Sequence, residues 1–412
     1  MDTILKDNTF VNDWTNQIHS KVAHIPDNVL SDALHYIEDK GIPTLKTEEY
    51  RNIPIESILK RYFRKLKITD TNEIKYNIDK DNTILLSSNE IKTFNIENSI
   101  DIFYQNNLPD KFHLLIGKSE MHLKDFFAAL NTAYCSKILV IHIKGKVEKP
   151  INIIHYLSNQ ENFSQNRILV IAEKETDFTV FEEYYSEELS EPFLYNSLSE
   201  IFINENATGK WINFQNSSAN LYHINNVFFS VNQNAKLYHH QISLNAALWR
   251  NNINVLMNGQ ESNANLKGLS IGKQQNFISQ NTAIIHRVPN AQSNQLYKNI
   301  AEDKSTVLFN GFILVEPNAQ KTDAYQNSKN ILLNDNATIF ARPQLEIYAD
   351  DVKCSHGSST GALNEDALFY LKARGIDEQT AQKLLLKAFY ADIIESIENT
   401  DIREYIDSKI EI

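Results

Sequence analysis

The heptapeptide ENATGKW (Glu205–Trp211) has relatives downstream at a nearly fixed interval: QNAKLYH (Gln233–His239), SNANLKG (Ser262–Gly268), PNAQSNQ (Pro289–Gln295), PNAQKTD (Pro317–Asp323) and DNATIFA (Asp335–Ala341). ETDFTV (Glu175–Val180) precedes them. Their turn residues are Asp177, Asn206, Asn234, Asn263, Asn290, Asn318 and Asn336, at steps of 29, 28, 29, 27, 28 and 18. Asn tolerates left-handed backbone angles and bonds its own backbone, and Ala is small enough to sit where a turn tucks inward. A strand takes roughly 5–6 residues, so a period near 28 holds several strands and turns. Stacked coils of that kind form a parallel β-helix, in which each coil buries its neighbour's inner face. A β-sandwich is the alternative, though sandwiches rarely keep so even a period. The final step of 18 does not fit the scheme. A solenoid also leaves the edge of its last coil to be covered or paired.

Outward from the repeat, the texture changes on both sides. KILVIHIKGKV, from Lys137, alternates like an entering strand. Upstream, NTFVNDWTNQIHSKV and PDNVLSDALHYIEDKG carry apolar residues at helical spacing, and Gly41 stands at a helix stop. GIPTLKTEEYRNIPI, between Pro43 and Pro54, reads as extended or turn. Ile74 to Leu108 suggests short strands, and SEMHLKDFFAALNTAYC one more helix. Downstream, Asn364 is placed to cap ALFYLKAR, with Gly375 as its stop, and Asp377 to cap EQTAQKLLLKAFYADIIESI. On that second helix Leu385, Leu386, Phe389, Tyr390, Ile393 and Ile397 form one broad stripe, with Leu384, Ala391 and Ile394 outside it. The stripe either packs on the solenoid or docks another protein. The boundaries read from these shifts are 1–134 for an N-terminal helical region, 135–350 for the β-helix core and 351–412 for a C-terminal helical domain.

The chain of 412 residues is 42% hydrophobic and carries a formal charge of −12, which disfavours nucleic acid or an anionic membrane as main partner. Two distant cysteines, Cys135 and Cys354, are no disulfide framework, so a reducing compartment is expected. The start has neither a basic n-region nor an apolar h-region, and no run of 18 apolar residues occurs; the expected setting is the cytoplasm.

Cys354 and His356 form a C-x-H pair that a strand would aim to one side. Thiolate and imidazole suit zinc, copper or iron–sulfur, but two ligands do not complete a tetrahedral site, and lone C-x-H pairs are more often structural. His223, His239, His240 and His286 lie in the repeat and read as wall residues. The acidic pairs Asp350-Asp351 and Glu182-Glu183 raise a β-helix carbohydrate-active enzyme, which needs carboxylates converging from neighbouring coils. No acid recurs one coil apart in the repeat turns. Phosphate-loop, G-x-S-x-G and paired C-x-x-C motifs are absent, and eleven glycines leave little room for nucleotide-cradling loops. A scaffold is favoured over an enzyme.

ARPQLEIYADDVKCSHGSSTGALNEDALFYLKARGI (Ala341–Ile376) resembles the C-terminal signature of the SufB/SufD family of iron–sulfur assembly proteins, in its SufD form. FNGFILVEPNAQKTDAYQNSKNILL, LNTAYCSKILVIHIKGKVEKPINI and GIPTLKTEEYRNIPI resemble further family segments, with Tyr50 where the family usually has Trp. The resemblance covers most of the chain, thinly from about Ile74 to Lys118. It implies a right-handed parallel β-helix between helical ends. It also implies a non-catalytic subunit that pairs with SufB through the β-helices and binds a SufC ATPase through its C-terminal helices, around Phe369, Tyr370 and the stripe. His356, and below it in rank Cys354, is implied as a ligand of a nascent iron–sulfur cluster, transient and shared with SufB; none is implied to be bound permanently. Alternatives within the family are a SufB-like or homodimeric scaffold, and a homodimer of the isolated chain.

Overall fold

The computed structural model describes residues 8–18, 25–68, 81–87, 90–104, 107–118, 125–186 and 188–411. Parts of the expected strands after Ile74 and of the helix before Asp125 lie outside these residues. Five helices come first or early: α1 (Asn8–Thr15), α2 (Asp27–Lys40), α3 (Ile55–Tyr62), α4 (Asp110–His113) and α5 (Phe126–Tyr134). Three short strands, β1 (Thr83–Leu86), β2 (Ile91–Phe94) and β3 (Ile100–Tyr104), fall among them. Then come β4 (Ile138–Ile143), β5 (Ile151–Leu157), β6 (Phe163–Ala172), β7 (Asp177–Ser186), β8 (Phe193–Ile203), β9 (Thr208–Asn216), β10 (Leu221–Val231) and β11 (Lys236–Asn245). They continue as β12 (Leu248–Met257), β13 (Asn263–Gly272), β14 (Phe277–His286), β15 (Gln292–Ala301), β16 (Thr306–Val315), β17 (Asp323–Leu332), β18 (Thr338–Ile347) and β19 (Lys353–Gly361). Helices α6 (Glu365–Ala373), α7 (Glu378–Ile394) and α8 (Thr400–Lys409) end the chain.

From β4 onward the strands alternate between two parallel sheets. Odd-numbered strands β5 to β19 form sheet A and even-numbered strands β4 to β18 form sheet B, so consecutive strands make successive coils of a parallel β-helix. Antiparallel β2 on β1, and β3 on β4, close the N-terminal end. Inward residues such as Ile168, Val170, Val227, Phe229, Ile253, Val255 and Leu266 stack into one continuous apolar core.

The repeat is a corner. Glu175, Asn206, Asn234, Glu261, Asn290 and Lys321 all hold left-handed backbone angles, φ between 54° and 63°. Each is followed by a small side chain with no more than 1% of its surface exposed: Thr176, Ala207, Ala235, Ser262, Ala291 and Thr322. The chain needs a residue that accepts positive φ and then one that fits between coils, so Asn-Ala serves well. Three of the Asn-Ala pairs sit in this register. Asn263 instead opens β13, and Asn318 precedes its corner by three residues. Asn336 belongs to the opposite corner, ahead of β18, which is why its step is only 18. The ladder registers give the actual coil: Asp177, Thr208, Lys236, Asn263, Gln292, Asp323 and Lys353 stand in one column, 27 to 31 residues apart.

Helical layers flank the solenoid on opposite faces. Trp14, Leu59, Phe63, Phe127 and Leu130 pack onto outward residues of sheet B such as Phe163, Leu194, Ile224 and Leu248. Ile393, Ile394, Ile397, Ile402 and Ile406 pack onto outward residues of sheet A such as Phe181, Phe214, Ile242, Leu269 and Ile300. Asn364 and Asp377 cap α6 and α7 by accepting from Ala367 N and Thr380 N, and Gly375 turns the chain between them at φ 86°. The C-terminal helical segment starts at Glu365 rather than 351, because β19 ladders onto β17 and completes the last coil.

Candidate functional site

Strand β19 is the outermost strand of sheet A, and β18 that of sheet B, so one end of the solenoid is open along both sheets. Pro343 in the middle of β18 lacks an N–H, which an edge strand tolerates and an interior strand does not. In the β17–β19 ladder Cys354 lies beside Ala324 and His356 beside Gln326. Ala324 belongs to the inner cluster of Ile313, Val315 and Ala319, and Cys354 packs partly against it. Two residues on, His356 shares that side of the strand. The structure thus brings both residues to the mouth of the solenoid, with no further strand of the described residues stacked above them.

The two differ chemically. Cys354 is half-buried; burial pushes its thiol above the ordinary range and the Asp323 carboxylate adds to this, against an opposing hydrogen bond from the Ala324 backbone. A raised pKa lowers the thiolate fraction and so its worth as a ligand. His356 is exposed. Gln326 lies directly beneath it in register, is buried, and has neither amide atom hydrogen-bonded among the described residues. Gly311 makes room for it, since a Cβ there would come within 1.8 Å of Gln326 Nε2. Sequence reading missed Gln326; its position one coil before His356 becomes visible only with the register known. Among the described residues no three His, Cys, Asp or Glu side chains come together to hold a metal ion. Cys354 and His356 alone do not make up a tetrahedral ligand set.

The α7 stripe is mostly spent inside the chain. Leu386, Tyr390, Ile393 and Ile397 are buried against sheet A, and Leu385 and Phe389 are half-buried. This corrects their assignment to a docking face. The stripe is apolar because it covers Ile242, Leu269 and Ile300, themselves outward residues of a sheet that water would otherwise reach. Polar ties fix the layer: Lys298 Nζ donates to Asp392 Oδ1 at 2.7 Å and to the Phe389 carbonyl, His240 Nε2 lies 2.9 Å from Ser396 Oγ, and the Tyr405 hydroxyl donates to Glu183. What stays exposed is α6: Phe369 at 74% and Tyr370 at 58%, with the Arg374 guanidinium 5.1 Å over the Tyr370 ring, and Leu384 nearby in sequence on α7 at 47%.

The histidines of the repeat and the pair Glu182-Glu183 sit in the walls. His223 and His286 are buried, and so are the neighbours His239 and His240; the first of these faces inward and the second outward onto Ser396. Burial holds His239 near about 3 and His240 and His286 near about 4, with His223 well down as well. Glu182 faces the interior and Glu183 the outside, so this acidic pair does not converge. Burial pushes the Glu182 carboxyl up, but hydrogen bonds from His155, Trp211 and Asn213 outweigh it and hold it low. Among the described residues no helix is long and apolar enough to cross a membrane. Cys135 and Cys354 are both free thiols.

Residues 155–389, more than half of the chain, match the family described as SUF system FeS cluster assembly, SufBD core domain. The chain is 34% identical to the iron–sulfur cluster assembly protein SufD of Escherichia coli over 178 residues, 43% of this chain and 42% of that protein. It is 30% identical to an iron–sulfur cluster assembly SufBD family protein of Synechocystis over 286 residues, 66% of this chain and 63% of the relative. With the SufD protein of Bacillus subtilis it shares 24% over 267 residues, 65% and 61% of the two chains. In each case the match spans less than two thirds of the relative's own length.

Proposed function

This chain belongs to the SufBD core family of SUF-system iron–sulfur cluster assembly proteins, and from that premise we propose that it is a SufD-type, non-catalytic scaffold subunit. Its open solenoid end pairs with a SufB-type solenoid. A nascent iron–sulfur cluster, the complex's cargo, is held across that junction, and His356 supplies an imidazole from this side. The observation that carries the reading is the pair Cys354 and His356, aimed inward at an unfinished rim with no third ligand from the described residues. His356 is exposed, whereas the thiol of Cys354, raised by burial, must lose its proton before it can ligate. Cys354 therefore ranks second.

The rim supports the pairing on physical grounds. Strands β18 and β19 present free main-chain donors and acceptors, which a second sheet edge satisfies by strand addition. The surface offered to a SufC-type ATPase is α6 with Phe369 and Tyr370, the exposed apolar residues that the α7 stripe left over. Two free thiols and a family role in cluster assembly favour the cytoplasm.

The test is co-expression with SufB and SufC, followed by purification of the complex. His356→Ala is expected to leave the complex intact and lower the iron and sulfide recovered with it. Phe369→Glu is expected to release the ATPase while the solenoid pair persists. Undiminished iron and sulfide in the His356→Ala complex would remove the ligand assignment, and a chain that never co-purifies with SufB would remove the pairing.

A further inference from the structure

Among the described residues, the N-terminal helices cover only part of sheet B's outer face. Beyond α5 the outward positions of β10, β12, β14, β16 and β18 form a row in register: Asn226, Asn252, Asn281, Asn310 and Arg342. With a wall that includes Glu48, Glu49 and Arg51, this face encloses a groove of about 450 Å³, the size of a small-molecule site.

At the deep end of the groove the hydrogen bonds do not balance. Asn252 Nδ2 donates to Asn226 Oδ1 at 2.8 Å, and Arg250 Nη1 donates to Asn252 Oδ1. Those contacts occupy the acceptors. Two donors remain, Asn226 Nδ2 and Arg250 Nε, without an acceptor among the described residues, on side chains only 1% and 3% exposed. Arg250 is held firmly: its guanidinium lies 4.2 Å over the Tyr50 ring and 3.5 Å from Asp125 Oδ2. Asp125 is already engaged, accepting from the Tyr50 hydroxyl at 2.7 Å and from the first backbone N–H groups of α5. A buried donor without a partner costs about 1–3 kcal/mol. Two of them on adjacent strands, both on residues that line the groove, form a receptor for a group that only accepts. An ionised carboxylate is such a group. The wall and outer strand add three carboxylates, Glu48, Glu49 and Glu346, and two guanidinium groups, Arg51 and Arg342; Arg51 lies 3.8 Å from Glu48, which leaves Glu49 and Glu346 for a cation.

We propose that this groove binds a small zwitterion, an amino acid or short peptide. Its carboxylate rests against Asn226 and Arg250, and its ammonium end reaches toward the carboxylates of Glu49 on the wall and Glu346 on β18. This site is independent of the cluster reading, because it lies on the outer face of sheet B and not at the inward-facing mouth.

The test titrates the full chain with triglycine, with glycine, and with triglycinamide, which lacks the carboxylate, at constant ionic strength, by calorimetry or ligand-observed NMR. Saturable binding of triglycine or glycine is expected, with the tighter of the two showing whether a peptide or a free amino acid is preferred. Triglycinamide is expected to bind about tenfold more weakly or worse, equivalent to about 1.4 kcal/mol. Asn226→Leu, which removes the donor, and Asn226→Asp, which keeps the shape and sets a like charge against the ligand, are each expected to weaken binding by at least as much. A circular dichroism melt confirms that each variant is folded, and having two variants keeps the test open if one is not. Absence of saturable binding by either zwitterion overturns the site. So does equal binding of the amide, or unchanged binding in a folded Asn226 variant.

Discussion

Two asparagines of the same Asn-Ala repeat should respond in opposite ways to the same pair of substitutions. Asn290 sits at the corner with φ 63°, whereas Asn263 opens strand β13. Replacing Asn290 by Val forces a β-branched residue into the left-handed region and costs about 1–2 kcal/mol. Asn290→Gly adopts the same angles freely and stays within about 0.5 kcal/mol of the parent. At Asn263 the order reverses. Gly loses more conformational freedom on entering a strand and costs about 0.5–1 kcal/mol. Val suits the pleated backbone and gives up an exposed side-chain hydrogen bond to Gln292 at 3.2 Å and a part-buried one from Asn265 at 2.7 Å. Urea denaturation of the four variants, followed by circular dichroism, measures this. If Val and Gly rank in the same order at both positions, the assignment of corner and strand is wrong.

Other perturbations probe the helical layers. Ile393→Ala removes a fully buried side chain between α7 and sheet A and should cost about 2–5 kcal/mol, seen as faster proteolysis of the last fifty or so residues before the solenoid itself unfolds. Acid should loosen the same layer. His240 is held at about 4 by burial, with Lys267 assisting and Glu398 opposing, against an ordinary value of 6.5. The unfolded chain therefore binds the proton first, and stability falls as pH drops from about 6.5 toward 4, by roughly 3 kcal/mol from this one group. His240→Gln keeps a donor for Ser396 and removes the titration. Its melting temperature should decline less than the parent's across that window, and an equal decline would count against the assignment.

The period was legible because each corner imposes two local demands at once, positive φ and a small inward side chain, and Asn-Ala meets both at 206, 234 and 290. The register was not, because Asn-Ala also occurs where the backbone is not left-handed, at 263 and 318, and because Glu and Lys fill the left-handed position in other coils. The stripe on α7 was legible as amphipathic, but helical spacing cannot say whether the covering surface lies in the same chain or in another. Sheet A's outward Phe181, Ile242 and Ile300 decide that, and they come from coils far apart in sequence. The groove on sheet B was hidden for the same reason. Asn226, Asn252, Asn281 and Asn310 are 26 to 29 residues apart and line up only once the coils are stacked.

Every coil but the last is clamped between two neighbours. The terminal one, Thr338–Gly361, has a single neighbour, and β18 keeps few fully buried side chains. In a structure stabilised coil by coil, fraying starts at such an end, so amide protons there should exchange soonest with solvent. The imidazole of His356 therefore rides on the loosest rung of the ladder. Whatever docks there must first settle that rung, and part of its binding energy goes into ordering it.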